Sequence, residues 1–170
     1  APRADVVDRQ GHPQPVAGLV EHVGLSMALG AFLAGVLLAD EWRAAVANAR
    51  AAGLPESWPT QFELAARNIA DLTLHLAQRG QGGEPEFMLR HSADFLELFS
   101  TIVIAWQWLR QASVAARALP GASADDRGFY EGKLCAAQYW FTTELPRIDH
   151  WVRLCRDGED SYARMQPGWF

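Results

Sequence analysis

The segment from Phe95 to Leu109 reads FLELFSTIVIAWQWL, and its composition decides the fold class. Glu97 and Gln107 are among its few polar residues, so a helix formed here is apolar on nearly every face. A helix of that kind is contacted from several sides and lies at the centre of its domain. The segment therefore predicts the central member of a helical bundle, within a long helix from about residue 86 to residue 119.

Apolar residues at helical spacing predict further helices around this one. One covers residues 40–52 and the next ends near Gly80. The last begins after Asp125-Asp126, is interrupted by Pro146 and ends at Gly158. Its predicted core stripe consists of Phe129, Leu134, Ala137, Phe141, Leu145, Ile148, Val152 and Cys155. No strand pattern of useful length is present, so the sequence predicts an all-α fold, an antiparallel helical bundle of about four helices plus an apolar N-terminal helix.

The N-terminal part of the chain differs in composition from the rest. We expect an irregular leader over residues 1–19, an apolar helix over 20–42 and the bundle over 45–170. Residues 23–39, VGLSMALGAFLAGVLLA, are 17 consecutive residues without a charge. That is the shortest length that crosses a bilayer as a helix, and the same run suits a helix buried in a soluble core or in an oligomer interface. The sequence leaves the membrane-type and the buried interpretation open.

Composition excludes several classes of protein. Of the 170 residues, 49% are apolar and 21% are charged, which is typical of a globular domain and not of a disordered chain. The 15 Lys and Arg against 20 Asp and Glu give a net charge of −5 without a basic cluster, so we expect no nucleic-acid partner. Cys135 and Cys155 form no paired motif and are expected as buried thiols in a reducing compartment. We therefore expect a cytoplasmic protein, with membrane association through residues 23–39 as the alternative.

The sequence contains no pattern for a metal centre. A di-iron bundle needs Glu-x-x-His on two helices, and no Glu in this chain has a His three residues later. Asp71 with His75, and His91 with Asp94, are four and three residues apart. Residues at such spacing pair on any helix surface, so we expect two exposed local pairs. No metal-ligating residue is predicted.

Catalytic and cofactor-binding patterns are also absent from the sequence. There is no GxSxG elbow, and the glycines from Gly80 to Gly83 follow a helix where a phosphate loop would lead from a strand into one. Trp106 and Trp108 point to different sides of the central helix and suit contacts with two neighbours. Four charged residues flank apolar stripes and are expected to cover apolar surface or pair at a rim: Arg110, Lys133, Glu144 and Arg147. We predict no catalytic residue and no cofactor in this chain.

Two stretches carry a resemblance to a known family. They are Thr101–Leu119, TIVIAWQWLRQASVAARAL, and Phe129–Phe170, which begins FYEGK, continues through Glu144-Leu145-Pro146-Arg147 and ends in Trp169-Phe170. In this order they resemble the C-terminal helical domain appended to one subgroup of bacterial acyl-CoA dehydrogenases, over about residues 45–170. The resemblance implies an FAD-dependent family that removes two hydrogens from an acyl-CoA thioester. It also implies that the base, the flavin contacts and the CoA contacts lie in a dehydrogenase core upstream, so Glu144 is not that base.

A second, shorter resemblance concerns residues 23–39. The string GLSMALGAFLAG is similar to a membrane helix of the glutathione-gated potassium-efflux antiporters. The similarity stops after Ala39, where Asp-Glu-Trp-Arg follows, and one such helix cannot form an ion pathway. A junction of two unrelated pieces would account for both resemblances.

The two resemblances lead to two functional hypotheses. In the first, the chain is a non-catalytic C-terminal packing and oligomerisation domain of an FAD-dependent acyl-CoA dehydrogenase-like protein, inactive alone, and its partner is the dehydrogenase core, a partner subunit or a second copy of itself. In the alternative, it is a membrane-anchored or oligomeric helical interaction module without enzymatic activity.

Overall fold

A computed structural model describes residues 38–169, and within them the chain folds into helices only. We number these helices α1 to α7 along the chain. Their bounds are 38–51 for the described part of α1, Ser57–Gln81 for α2, Pro85–Leu89 for α3, Ser92–Ala118 for α4, Ala124–Tyr139 for α5, Ile148–Asp157 for α6 and Ser161–Arg164 for α7. The all-α prediction is confirmed for this part of the chain. The predicted leader and most of the apolar helix at 20–42 lie outside the described residues.

Helix α4 is the centre of the bundle, as its composition predicts. It contacts α2, α5 and α6, and its inward stripe is almost free of solvent exposure. That stripe consists of Leu98, Ile102, Ala105, Leu109 and Ala112. The opposite side of α4 is not covered within the described residues, because Leu96 and Val114 are 64% and 59% exposed. The helix is therefore apolar all round but buried on one side only.

Helix α1 belongs to the same core as the rest of the bundle. Its Trp42, Val46 and Ala49 are buried, and the Trp42 ring meets the edge of Phe62 on α2 at 5.5 Å between centroids. One continuous helix therefore crosses the point between residues 42 and 45 where composition suggested a boundary. Within the described residues, no helix is both long enough and apolar enough to cross a membrane.

The predicted helix from residue 86 to residue 119 is wrong in one respect, because the chain breaks between α3 and α4. His91 leaves helical geometry, with φ −111° and ψ 38°. The sequence at the break contains no glycine or proline from which it could be predicted. It is stabilised from a distance: the Arg90 guanidinium donates to the carbonyl of Gly158 at 2.6 Å, and the Tyr162 hydroxyl donates to the carbonyl of Arg90 at 3.1 Å.

The interruption predicted at Pro146 is confirmed. A single wide turn over Trp140–Glu144 and a tight turn over Leu145–Arg147 separate α5 from α6. Proline has no N–H to donate, so the regular hydrogen-bond ladder cannot continue through it. The irregular turns still keep Phe141 in the core, where its ring stacks on Trp58 at 5.4 Å and 6° between planes. Gly158 ends α6 with φ +62°, as predicted for the residue closing that helix.

Helix α5 differs most from the sequence-based expectation. Phe129, predicted in the core stripe, is 62% exposed, and Cys135, predicted as a buried thiol, is exposed as well. Ala137 is the one buried residue of this 16-residue helix. The reason is that α5 packs mainly against α4, along one narrow side.

Candidate interaction surface on α4 and α5

The two histidine pairs singled out by their spacing have different outcomes. His91 Nδ1 lies 2.9 Å from the Asp94 carboxylate, so this local pair forms, but the His91 side chain is 8% exposed and the expected surface location is wrong. His75 meets the ring of Phe87 edge-on at 6.0 Å, and no hydrogen bond joins it to Asp71 among the described residues. Over residues 38–169, no group of three or more His, Cys, Asp or Glu side chains has metal-binding geometry.

The two cysteines lie in opposite environments. Cys155 is buried on α6, and burial, followed by the charge of Asp94, raises the pKa of its thiol to about 11. Its Sγ is 3.7 Å from the carbonyl oxygen of His91. A thiol held protonated in this way is a poor nucleophile at neutral pH. Cys135 faces solvent on α5.

Glu144 forms a surface cluster with its neighbours. Arg147 donates to its carboxylate at 2.8 Å and the Tyr139 hydroxyl donates at 3.1 Å. The Arg147 bond first, and then the Tyr139 bond, lower the pKa of Glu144 below its ordinary value. The same contact with Glu144 raises the pKa of Tyr139. This is the rim pairing that the sequence predicted for Glu144 and Arg147.

A groove of about 410 Å³ runs between α4 and α5. Its lining consists of Gln107, Arg110, Gln111, Val114, Ala115, Phe129, Tyr130 and Lys133. The lining therefore combines two cations, two amides and an apolar floor, and it contains no carboxylate. The lining is complementary to a surface that combines apolar side chains with negative charge.

Both cations of the groove are held by aromatic rings. Lys133 Nζ lies 5.4 Å from the Trp108 ring and 5.5 Å from the Phe129 ring, and it donates to the Gln111 side chain at 2.9 Å. Arg110 lies 5.2 Å from the Trp106 ring. Such stacking orients a cation and leaves it charged. The two tryptophans on α4 contact different cations, as expected for residues two apart on a helix.

The apolar surface of α4 continues past the groove as one stripe. Leu96, Val103, Gln107 and Val114 are separated by seven, four and seven residues, so they share one face of the helix. The two ends of this stripe, Leu96 and Val114, are largely exposed. Together with Phe129 and the groove, the stripe forms a mixed surface that we call the α4–α5 face. The sequence analysis missed it, because an apolar residue on a central helix is expected to be covered by the chain itself.

Comparisons with known proteins agree with the first resemblance. Residues 38–166 match the sequence profile of the family described as "Acetyl-CoA dehydrogenase C-terminal like". A curated relative, the broad-specificity linear acyl-CoA dehydrogenase FadE5 of Mycobacterium tuberculosis, is 43% identical over 58 residues, which are 34% of this chain and 10% of FadE5. The match thus spans about a tenth of that relative's length. No solved structure matches at a significant level. The resemblance of residues 23–39 to an antiporter helix finds no support in these matches.

Proposed function

Since the chain belongs to the acetyl-CoA dehydrogenase C-terminal-like family, we propose that it is the non-catalytic C-terminal packing domain of an FAD-dependent acyl-CoA dehydrogenase-like protein. In this role it packs against a dehydrogenase core or a partner subunit and helps subunits to associate. The core, in the same polypeptide or in a partner chain, holds the FAD and carries out the oxidation. The location that goes with this role is the cytoplasm.

The observation that carries the proposal is the α4–α5 face, which residues 38–169 leave uncovered. A helix with one buried residue out of 16 gains little stability from its own bundle, because helices in proteins are stabilised mainly by the burial of an apolar face. Leu96, Val114 and Phe129 together expose an apolar area that a second protein surface can cover. The FYEGK motif lies on this face: Phe129, Tyr130 and Lys133 all line the groove.

The described residues do not fit FAD. Flavin nucleotides are held through their phosphates, which bind at helix N-termini and glycine-rich loops where free backbone N–H groups converge. Gly80 lies in the last turn of α2, and Gly82 and Gly83 follow its C-terminus, where the helix dipole is negative and disfavours phosphate. The groove between α4 and α5 is built from the middles of two helices, whose N–H groups are already bonded within the helix. No step of the chemistry is therefore assigned to residues of this chain.

The catalytic half of the proposal is tested with the purified full chain. FAD is titrated into the chain and followed by flavin fluorescence, and acyl-CoA-dependent reduction of an electron-accepting dye is measured with FAD in excess. We expect neither saturable binding nor turnover. Stoichiometric FAD binding together with dehydrogenation of an acyl-CoA would show that the chain is an enzyme by itself.

The packing half is tested by size measurements on the full chain. Light scattering after size exclusion gives its mass alone and in a mixture with the dehydrogenase polypeptide from the same source. We expect a complex with that polypeptide or a homo-oligomer, which the double substitution Leu96→Asp and Val114→Asp disrupts. The matched control is Leu64→Asp with Leu74→Asp, which places the same charges on exposed leucines of α2 and leaves the assembly intact. A monomer that binds no dehydrogenase polypeptide contradicts the proposal.

The alternative function rests on the uncharged run at residues 23–39, which suits a membrane anchor. Cell fractionation without detergent distinguishes the two functions, because an anchored module sediments with membranes and is released by detergent. The informative truncation removes residues 1–37. A longer one, up to residue 42, would also delete the buried Trp42 side chain from the core.

A further inference from the structure

His91 occupies a position where both of its ring nitrogens face oxygen atoms. Nδ1 is 2.9 Å from the Asp94 carboxylate, and Nε2 is 2.9 Å from the backbone carbonyl oxygen of Glu159. The side chain is almost fully buried, so water does not substitute for either contact. His91 therefore joins the first turn of α4 to the chain that follows α6.

Counting protons on these contacts leaves one consistent assignment. A carbonyl oxygen only accepts, so Nε2 has to donate to Glu159. In a neutral imidazole the other nitrogen then carries a lone pair, which would face the Asp94 carboxylate and repel it. The Asp94 side chain is 35% exposed to water, which favours its charged form. Both contacts are satisfied together when the ring is an imidazolium that donates from each nitrogen.

The charges around the ring favour this assignment. Asp94 is the charged side chain that contacts the ring, and the Tyr162 ring meets it edge-on at 6.1 Å between centroids. The other titratable residues nearby are Glu159, whose backbone carbonyl contacts the ring, Cys155, whose Sγ contacts the His91 carbonyl, and Arg90. The Arg90 guanidinium points away to the carbonyl of Gly158. The Glu159 carboxylate accepts from the Ser161 amide at 2.8 Å, and the Ser161 hydroxyl and amide hold its pKa below the ordinary value.

The same contacts hold the C-terminal segment, residues 159–169, against the bundle. All residues from Ser161 to Trp169 are exposed, so few apolar contacts hold them. The segment is tied instead by polar contacts at its start: His91 to the Glu159 carbonyl, and the Tyr162 hydroxyl to the Arg90 carbonyl. Losing the first of them removes a large part of what orders it.

We propose that His91 is a proton-dependent latch: as an imidazolium it ties the C-terminal segment to α4, and when it loses a proton the segment is released. When one proton is lost, the remaining proton stays on Nδ1, because a hydrogen bond to the Asp94 carboxylate is stronger than one to a carbonyl. The contact between Nε2 and the Glu159 carbonyl is therefore the one that is lost. The latch is closed at lower pH and opens as pH rises. It responds to pH without any change in the rest of the core.

The test uses the isotope-labelled full chain in solution. Nitrogen-15 NMR of the imidazole group reports whether each ring nitrogen carries a proton, and the backbone amide signals of residues 159–164 report the order of the segment. Spectra are recorded between about pH 5.5 and about pH 8.5, on either side of the ordinary histidine titration. We expect both nitrogens protonated at the low end, and a population of released segment that rises about tenfold or more at the high end, since a charge-assisted hydrogen bond is lost.

The decisive variant is Asp94→Asn. The new amide donates to Nδ1, so a neutral ring with a proton on Nε2 satisfies both contacts. We expect the segment to stay ordered up to about pH 8.5 in this variant, with its pH dependence removed. The control His150→Gln changes an exposed histidine and should leave the wild-type pH profile unchanged. The proposal is overturned if the segment is ordered while one nitrogen of His91 lacks a proton, or if wild type and Asp94→Asn have the same pH profile.

Discussion

Replacing Gly158 by alanine tests how the break before α4 and the end of α6 fit together. Gly158 has φ +62°, and a Cβ added there would lie 2.6 Å from Cζ and 2.8 Å from Cδ2 of Phe87, and closer still to Cε2. The Phe87 ring has little room to move away from an added Cβ. The guanidinium of Arg79 lies 3.8 Å from its centroid, and His75 meets it edge-on. Two separate costs therefore act at one glycine.

The magnitude of each cost follows from this geometry. A non-glycine residue in the left-handed conformation costs about 1 to 2 kcal/mol. Forcing a methyl group into an occupied site costs about 1 to 3 kcal/mol more. Gly53 supplies the matched control, because it has φ +71° and nothing within 4 Å of an added Cβ. Gly53→Ala pays the first cost alone, so we expect Gly158→Ala to be less stable than Gly53→Ala by about 1 to 3 kcal/mol.

The assay is urea unfolding of the wild type and both variants, followed by tryptophan fluorescence, with a common slope for the free energy of unfolding. A third comparison separates the cost of displacing the Phe87 ring from the cost of the left-handed backbone conformation. In a Phe87→Ala background, the added cost of Gly158→Ala should fall to that of Gly53→Ala, since no ring remains to be displaced. Equal destabilisation by Gly158→Ala and Gly53→Ala in the wild-type background would refute the packing argument.

Two further predictions concern α5 and α6. At about pH 8, Cys135 should react rapidly with a thiol reagent, while Cys155 stays unmodified in the folded chain. The reason is that burial raises the pKa of the Cys155 thiol to about 11. Peptide mass spectrometry measures the modification of each cysteine. Modification of both at similar rates would mean that the α6 site is open. Phe141→Ala should lower the free energy of unfolding by about 3 to 5 kcal/mol, because it leaves a cavity beside Trp58. Phe129→Ala should lower it by less than about 0.5 kcal/mol, because that side chain is largely exposed. Thermal unfolding compares the two variants, and similar losses of stability would contradict the burial assigned to these two residues.

The candidate surface was only partly predictable. The sequence singled out Lys133 and Arg110, which line the groove, and Trp106 and Trp108, whose rings lie against these two cations. What the sequence could not supply is that the other described residues leave the groove uncovered. Phe129 shows why: it lies at core spacing on α5, and only the position of the neighbouring helices leaves it exposed.

The sequence by itself determined where helices form, because helix periodicity, capping and proline effects act over a few residues. The central helix, the interruption at Pro146 and the end at Gly158 all follow from such local information. The tertiary structure alone decided the break at His91, whose partners are 68 residues away in the chain. A contact over that distance leaves no periodic trace in the sequence, since it is set by how α6 packs on α4 and not by the residues that flank the break.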